Sequence, residues 1–529
     1  MKRYQLSYPF LFAILPILNT LARNPGGSRP GDVAVVIAAL LFAGAAAYLL
    51  VGLALGRRWS SPTVPLIVLA GFLWLNSKQT LSAWARRFDG AVGGPIVVAL
   101  ALALTIGAIW WLARRPGVLE RVTTFLFLTG VIMTSWLSVG VGADWGRGRA
   151  AIRQSALAKE LAKPVPSLAS PAKNPGGTRD IYLIVLDEYA NSKVLQERVQ
   201  FDNRAFEDSL RHLGFTIPAS VRSNYVHTLL SLPSLLNFSH LSSLANEVGR
   251  RSTDATIPNY LLENNRTVAF LKPRGYQFLF FPSRWWPSTD HNSNADWEFK
   301  AWNGFHLGRE ATGSDLRRSY IRSSALGLLM EDNTWDGDHV RRTLQGLEQV
   351  PSRAEPTFAF AHIVSPHWPY VFTADCQATG HQPAEGQEGK RRAYAEQLQC
   401  LNKLVLRTVT TIIQRSPVPP IILLQGDHGT NLLRYSSAPS ARAVSPDQAR
   451  ERFGAFGAYY LPDGGDRLFT GSVTIVNVLQ KVLSHYFGAD IPPAPDELYM
   501  SLERTPYDFV RLDPSTLAAN QPIRAMIPK

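Results

Sequence analysis

The residues Gly426-Asp427-His428-Gly429 follow an apolar run at 420–425 and carry the most informative chemistry in the sequence. A carboxylate next to an imidazole offers two ligands that suit Zn²⁺ or Mn²⁺. The flanking glycines allow the chain to turn at the end of a strand without a Cβ clash. The segment therefore predicts part of a metal site, with Asp427 and His428 as ligands.

A second acidic pair, Asp187 and Glu188, ends the apolar run at 181–186. Because side chains alternate along a strand, the two residues point to opposite sides if the strand continues. We expect Asp187 to be a metal ligand, with Glu188 as the alternative. Asp187 could instead be the N-cap of a following helix.

A threonine stands where a helix is predicted to begin. Thr228 precedes an apolar helical run, with Pro233 in an early turn. Unpaired N–H groups and the helix dipole favour a developing alkoxide or a bound anion at such a position. Thr228 is therefore a candidate nucleophile, although Thr228 or Ser231 could simply cap the helix.

Two histidines belong to the apolar segment at 357–363 and the loop after it. His367 lies between prolines in a rigid loop and could hold a phosphate oxygen or protonate a leaving group. His362 lies nearer the strand, and we expect it to be a core or supporting histidine.

Short apolar runs alternate with helical patterns through the second half of the chain. This alternation predicts an α/β domain with a mostly parallel sheet and helices on both faces. The candidate residues fall at or just after the carboxyl ends of the strands, where sites gather in such sheets. The predicted strands are 181–186, 277–281, 357–363, 420–425 and 456–461, and the predicted helices are 394–414 and 472–486.

The first 141 residues consist of apolar stretches separated by short loops with Arg or Lys. We interpret them as five transmembrane helices, since a span needs about 20 apolar residues. The first stretch could also be a signal peptide. The distribution of basic residues places everything after this region outside the cytoplasm. The stretches are 6–21, 33–55, 64–75, 95–112 and 122–141.

The sequence divides into four segments on this interpretation. A transmembrane helical domain covers 1–141, and a juxtamembrane helix with a Pro/Gly-rich linker covers 142–179. A catalytic domain covers 180–512, and 513–529 form a C-terminal tail.

The net charge of +13 raises the question of which partner the chain binds. Nucleic-acid binding is not indicated, because no basic run, zinc-finger spacing or RNA-binding aromatic motif occurs. Attraction to anionic lipid beside the last span explains the charge better, although a solvated basic surface accounts equally well for any one of these residues. Arg284, Trp285 and Trp286 could contact a lipid head group, or form a core edge or an interfacial belt.

The chain has two cysteines, Cys376 and Cys400, and both lie in the predicted external domain. A disulfide between them would suit an oxidising compartment. Buried free thiols are the alternative.

Together these motifs resemble the alkaline phosphatase/sulfatase superfamily. More narrowly, the chain resembles its membrane-bound branch of lipoteichoic acid synthases and lipid A phosphoethanolamine transferases. In architecture the resemblance covers the whole chain, because that branch joins five transmembrane helices to an extracytoplasmic sulfatase-like domain. In motif order it covers about 180–500. It implies an acidic ligand at the end of the first strand, a nucleophilic Thr, a loop His and an Asp-His pair, which here are Asp187 or Glu188, Thr228, His367, and Asp427 with His428.

Two departures from relatives refine this expectation. Sulfatases carry Cys/Ser-x-Pro-x-Arg, whereas this chain has Ser231-Leu-Pro-Ser-Leu235, so the nucleophile is expected at Thr228 and not at Ser231. Relatives with two metals have further histidines after Asp-His-Gly, and this chain has none between Gly429 and His485. One divalent ion is therefore expected, Zn²⁺ or Mn²⁺, with Mg²⁺ as the alternative.

The resemblance implies an enzyme in the bacterial cytoplasmic membrane. It would transfer a phospho-head-group, of the phosphoethanolamine or phosphoglycerol type, from a phospholipid donor to a glycan or lipid acceptor through a covalent threonine intermediate. The alternatives are a sulfatase-like phosphodiester or sulfuric ester hydrolase and a non-catalytic lipid-binding or partner-binding protein.

Overall fold

The computed structural model describes residues 6–24, 26, 28–56, 61–78, 80, 93–166, 179–283, 287–301, 315–324, 334–379, 386–514 and 517. The helices are α1 (Tyr8–Arg23), α2 (Pro30–Ala54), α3 (Thr63–Leu75), α4 (Gly93–Ala113), α5 (Pro116–Gln154), α6 (Ala156–Leu161), α7 (Ser192–Val194), α8 (Arg204–His212), α9 (Thr228–Asn237), α10 (Leu244–Val248), α11 (Thr256–Glu263), α12 (Arg266–Leu271), α13 (Pro287–Asp290), α14 (Asp315–Ser323), α15 (Thr334–Leu347), α16 (Gly386–Arg415), α17 (Pro446–Phe453) and α18 (Val478–Phe487). The strands are β1 (Ile181–Leu186), β2 (Phe215–Thr216), β3 (Ser220–Arg222), β4 (Gln277–Phe281), β5 (Trp297–Glu298), β6 (Thr357–Ile363), β7 (Ile421–Gly426), β8 (Gly457–Tyr460), β9 (Ser472–Thr474), β10 (Leu498–Leu502) and β11 (Thr505–Leu512).

The chain forms two compact units. The first contains the helices up to Arg149 together with α14, and the second contains the remaining elements. Three helices of the described chain are long and apolar enough to cross a membrane: α2, the part of α4 from Pro95 to Ala113, and α5. Helices α1 and α3 are apolar but shorter.

An apolar core joins α1, α2 and α3 in the first unit. Ile17 of α1, Val36 of α2 and Val68 of α3 are buried in one cluster, which also takes in Leu316 of α14. Beside this cluster, Arg317 of α14 donates to Asp32 in the first turn of α2 over 3.0 Å. Helix α14 therefore packs against the N-terminal helices, although it follows β5 in the sequence.

A seven-stranded sheet forms the centre of the second unit, in the order β2-β8-β7-β1-β6-β4-β5. Strands β7, β1, β6, β4 and β5 pair in parallel, and β8 is antiparallel to both β7 and β2. The sheet is therefore mostly parallel, as the alternation of strands and helices predicted. The carboxyl ends of β1, β6 and β7 are neighbours at one edge.

Both faces of the sheet are buried. Along β1, Tyr182, Ile184 and Leu186 enter one core, which includes residues of α15 and α16. The intervening Ile181, Leu183 and Val185 enter a second core, which includes residues of α9 and α18. Burial on both faces explains why these strands read as continuous apolar runs.

Both predicted helices differ in their bounds from the helices observed. The helix predicted over 472–486 begins only at Val478, because Ser472–Thr474 form β9, which pairs in parallel with β3. Val473 and Thr474 are β-branched and suit a strand. The helix predicted over 394–414 extends over Gly386–Arg415.

Candidate metal and nucleophile site

Asp187 lies directly after β1 at the edge where three parallel strands end. Its backbone N–H donates to Ile363 O, the last residue of β6, over 3.0 Å, so the backbone is fixed. The side chain is 1% exposed, and Oδ1 has no hydrogen-bond partner among the described residues. Oδ1 lies 3.8 Å from His428 Nε2. A buried carboxylate oxygen without a donor is the feature that a bound cation would satisfy.

Asp427 and His428 follow β7, where the neighbouring backbone leaves no room for a side chain on either side of the pair. A Cβ on Gly426 would lie 2.2 Å from Tyr189 O, and a Cβ on Gly429 would lie 2.0 Å from Glu451 O. The two glycines are therefore required by close backbone approach. Neither is among the glycines with positive φ.

The Asp-His pair is held by its own backbone contacts. Asp427 Oδ1 accepts from the N–H groups of Glu188 and His428, over 3.1 Å and 3.0 Å. His428 Nδ1 lies 3.2 Å from Gly429 O, which fits a proton on Nδ1 and a lone pair on Nε2. A backbone carbonyl that fixes the imidazole in this way is common for metal-binding histidines.

Thr228 is the first residue of α9 and points to the Asp-His pair. Its Oγ1 donates to Asp427 Oδ2 over 2.7 Å and lies 3.1 Å from His428 Nε2. Asp427 Oδ2 and His428 Nε2 are themselves 3.1 Å apart. Thr228, Asp427, His428 and Asp187 thus place their polar atoms around one point.

Ser231 lies one turn further along α9 and is not part of this cluster. Its hydroxyl is buried and donates to Tyr225 O over 3.0 Å. This bond ties α9 to the preceding segment, so the hydroxyl has a structural partner.

His362 is buried within β6. Its Nε2 lies 3.4 Å from Asp187 Oδ2, and neither ring nitrogen makes a hydrogen bond to a described residue. Ligand atoms of Asp187, His362 and Asp427 all lie within 4.8 Å of one another and could hold a metal ion. His362 is therefore closer to the cluster than the sequence interpretation expected.

His367 is partly exposed in the loop after β6. Its backbone N–H donates to Asp187 O over 3.0 Å, and its Nδ1 contacts the carbonyl of Trp368. Burial opposes protonation of the ring, but the carboxylates of Glu188 and Asp187 outweigh it and raise the pKa of His367. A histidine that holds its proton beside the cluster is suited to act as a general acid.

Burial and neighbouring charges shift the pKa values of Asp427, Asp187 and His428. Burial and the charge of Asp187 raise the pKa of Asp427 well above its usual range. Burial also opposes ionisation of Asp187, but the surrounding histidines outweigh it and lower its pKa. Burial and the charge of Arg452 hold the pKa of His428 well below its usual range, so the imidazole is neutral and able to coordinate.

These residues fit one divalent ion. Two carboxylates, a neutral imidazole and a hydroxyl form a mixed N/O donor set, which suits Zn²⁺ or Mn²⁺. The partnerless Oδ1 of Asp187 and the Nε2 lone pair of His428 face the same point. The donor set alone does not distinguish these two ions from Mg²⁺.

Glu188 turns away from the cluster. It has a φ of 60°, in the left-handed region, and its Oε1 accepts from Arg452 Nη1 over 2.5 Å. Arg452, near the end of α17, is 4% exposed. Sequence reasoning missed Arg452, because no motif surrounds it and it approaches Glu188 only through the tertiary fold.

The two predicted cysteines are bonded to each other. Cys376 and Cys400 form a disulfide, with their Cα atoms 5.0 Å apart, between the loop after β6 and α16. Arg284, Trp285 and Trp286, predicted to contact lipid, lie outside the described residues.

Several solved structures resemble part of the chain, with low identity. The periplasmic domain of EptC from Escherichia coli, in complex with Zn, is 10% identical, with a TM-score of 0.44 over 66% of this chain and 96% of that one. The periplasmic domain of phosphoethanolamine transferase EptC from Campylobacter jejuni is 10% identical, with a TM-score of 0.36 over 59% and 90%. A putative sulfatase from Bacteroides fragilis is 12% identical, with a TM-score of 0.39 over 65% and 85%.

These structural similarities are too weak to carry an argument about function. None of the curated proteins matches the chain. A sequence-family model gives a firmer result, because the model described as Sulfatase matches residues 190–463, just over half of the chain. The matched residues include Thr228, His367, Asp427 and His428. The chain belongs to the sulfatase family, and it is an enzyme of the alkaline phosphatase superfamily.

Proposed function

We propose that the protein is a membrane-anchored, metal-dependent transferase that moves a phospho-head-group from a phospholipid to an alcohol on a cell-envelope glycan or lipid. The observation that carries this proposal is the position of the Thr228 hydroxyl, 2.7 Å from Asp427 Oδ2 and 3.1 Å from His428 Nε2. A hydroxyl placed among buried carboxylates and imidazoles can become a nucleophile for phosphorus.

Asp187, Asp427, His428 and Thr228 would hold the divalent ion, and His362 is near enough to support it. The bound ion would lower the pKa of a coordinated hydroxyl and neutralise phosphate charge. Ser231, at the first position of the corresponding sulfatase motif, is not favoured as the nucleophile. Ser231 is buried and its hydroxyl is bonded to Tyr225 O.

The reaction would take place in two displacements. In the first, Thr228 Oγ1 would lose its proton to solvent and form a bond to phosphorus, while the bond from phosphorus to the lipid oxygen breaks. His367, whose pKa is raised by Glu188 and Asp187, would give its proton to the departing lipid alkoxide. In the second, the acceptor oxygen would bond to phosphorus and its proton would return to the imidazole, while the bond from phosphorus to Thr228 Oγ1 breaks and Oγ1 takes a proton from solvent.

The membrane placement is part of the proposal. The candidate spans of the first unit support attachment to a membrane, where a lipid donor is concentrated. We infer five spans in the bacterial cytoplasmic membrane, with the catalytic unit on the extracytoplasmic side. The basic loops of the N-terminal region support this orientation.

The experiment that tests the nucleophile compares full-length Thr228→Ala and Thr228→Ser variants with the wild type in detergent. After incubation with bacterial phospholipid and Zn²⁺ or Mn²⁺, mass spectrometry of the peptide with residue 228 should show an added head-group phosphate in the wild type. Thr228→Ala should lose the adduct and reduce turnover by roughly a thousandfold or more. Thr228→Ser should keep the adduct. An unchanged rate in Thr228→Ala would contradict the assignment.

Membership of the sulfatase family also supports the alternative of an ester hydrolase, which shares the first displacement and passes the group to water. The product of the reaction distinguishes transfer from hydrolysis. Transfer gives a modified glycan or lipid, whereas hydrolysis gives the free head-group phosphate or, with a sulfate ester, inorganic sulfate.

A further inference from the structure

Arg452 is a buried cation beside the nucleophile, and its role is not explained by the metal site. Its side chain is 4% exposed, and its Nη2 lies 3.3 Å from His428 Nε2. The same His428 Nε2 lies 3.1 Å from Thr228 Oγ1. The guanidinium is therefore next to the position where a transferred phosphoryl group would be attached.

Three contacts fix the guanidinium from the other sides. Nε donates to Val226 O over 2.8 Å, and Nη1 donates to Gly429 O over 2.7 Å and to Glu188 Oε1 over 2.5 Å. Both N–H groups of Nη1 and the N–H of Nε thus have acceptors. Because the guanidinium is already held in place, the protein spends no reorganisation energy when negative charge develops near it.

Nη2 has a different environment. The Tyr435 ring lies alongside the guanidinium, 5.0 Å from its central carbon, and His428 Nε2 is the acceptor that faces Nη2. When His428 Nε2 coordinates a cation, its lone pair is no longer available to Nη2. The N–H of Nη2 that faces His428 then loses this acceptor, next to the Thr228 hydroxyl, and the loss of an acceptor by a buried donor is costly.

We infer that Arg452 Nη2 donates to a non-bridging oxygen of the phosphoryl group while that group is bonded to Thr228. This inference rests on the proposed function, and it makes Arg452 a catalytic residue that binds the anion and stabilises its developing charge. Glu188 is the positioning residue that orients the guanidinium. Arginine suits this task because its planar N–H groups match phosphate oxygens.

The test measures anion affinity separately from metal affinity and stability. Full-length wild type and Arg452→Lys, both loaded with Zn²⁺, are titrated with orthovanadate. Lysine keeps the charge facing Glu188 but lacks Nη2. We expect unchanged zinc content, a lower unfolding temperature because Val226 O and Gly429 O lose their donors, and, in the folded protein, vanadate affinity lower by about tenfold to a hundredfold, as for a lost hydrogen bond to a charged group.

The matched control is Arg179→Lys. Arg179 is also a buried arginine in an ion pair, with Asp463, but it precedes β1 and lies at the opposite end of that strand from Asp187. It should leave vanadate affinity unchanged. Equal vanadate affinity in Arg452→Lys and the wild type would overturn the inference.

A second measurement does not depend on a variant that folds. In a structure of the zinc-loaded wild type with orthovanadate, Nη2 should lie within about 3.2 Å of a vanadate oxygen. A longer separation, with another group in contact with that oxygen, overturns the inference. Wild-type protein that binds vanadate through Arg452 but forms no adduct on Thr228 with phospholipid would support the anion site and overturn the proposed transfer.

Discussion

Asp187 and Asp427 are two buried carboxylates around one hydroxyl, so either a proton or a cation must offset their charge. Without a cation, the raised pKa of Asp427 means that this residue holds the proton. His428 is neutral, because its pKa is well below its usual range. A cation would therefore displace a proton from the carboxylate and not from the imidazole.

We predict that the affinity for Zn²⁺ falls as the pH is lowered toward and below the raised pKa of Asp427. The sign follows because protons and zinc compete for the same oxygen atoms. Calorimetric titrations in buffers of different ionisation enthalpy should show release of about one proton per zinc ion. Asp427→Asn should bind zinc weakly at every pH. Zinc binding that releases no proton would contradict this assignment.

Asp187 and Glu188 are adjacent, yet they should give opposite phenotypes. Asp187→Asn should remove zinc and leave folding nearly intact, because its Oδ1 has no hydrogen-bond partner among the described residues. Glu188→Gln should keep zinc but leave Arg452 buried without its counter-charge, at a cost of roughly 3 kcal/mol. Denaturant unfolding and metal analysis of both variants check this. Loss of zinc in Glu188→Gln alone would reverse the two roles.

The direction of a single side chain was predictable from the sequence where the residue directly follows a strand. Alternation along β1 favoured Asp187 over Glu188, and in the structure Asp187 faces the cluster while Glu188 contacts Arg452. Arg452 could not be predicted, since its neighbours form an ordinary polar helix and its partners lie just after β1, just before α9 and in the turn after β7. The short separation of His362 from Asp187 depends on strand register, which the sequence does not state.

The turn after β7 is the element on which the site geometry depends. The Cα of Gly429 packs against the backbone of Glu451 and Gly454, and a Cβ at this position would lie 2.0 Å from Glu451 O. Glu451 accepts from the Thr430 hydroxyl and the Leu432 N–H, each over 2.6 Å, so this backbone cannot easily move away.

We predict that Gly429→Ala displaces this turn and lowers both zinc affinity and stability, by about 2 kcal/mol or more for stability. Gly471→Ala is the matched control, because no atom lies within 4 Å of a Cβ at that position. Its free energy of unfolding should be within about 0.5 kcal/mol of the wild type. Thermal unfolding and metal analysis measure both effects. Wild-type zinc affinity in Gly429→Ala would show that the turn tolerates displacement.

At the element scale, the sequence was most informative for strands buried on both faces. The predicted 181–186, 277–281 and 357–363 coincide with β1, β4 and β6. The sequence was less informative for β9, whose three residues continue into a helical pattern and become a strand only by pairing with β3. Local periodicity cannot show which distant strand will supply hydrogen bonds.

At the scale of the whole molecule, the two units differ in the side chains that they expose. Exposed leucines, isoleucines and tryptophans are frequent on α4 and α5, which is expected for helices that face lipid. Composition alone predicts an apolar N-terminal part and a polar remainder. It did not show that α14 belongs with the N-terminal helices, since that depends on the contact of Arg317 with Asp32, 285 residues earlier.

The disulfide tests the orientation of the whole molecule in the membrane. Cys376 and Cys400 are bonded, and such bonds persist in oxidising compartments and are rare in the cytosol. We therefore predict that the full-length protein, alkylated in intact wild-type host cells, has no reactive thiol. In a host that lacks its extracytoplasmic disulfide-forming enzymes, both cysteines should react, and the unfolding free energy should fall by about 2–5 kcal/mol. The double variant Cys376→Ser/Cys400→Ser is the control that reacts in neither host. Two reactive thiols in the wild-type host would place the catalytic unit in the cytoplasm, away from the envelope acceptor that the proposed transfer requires.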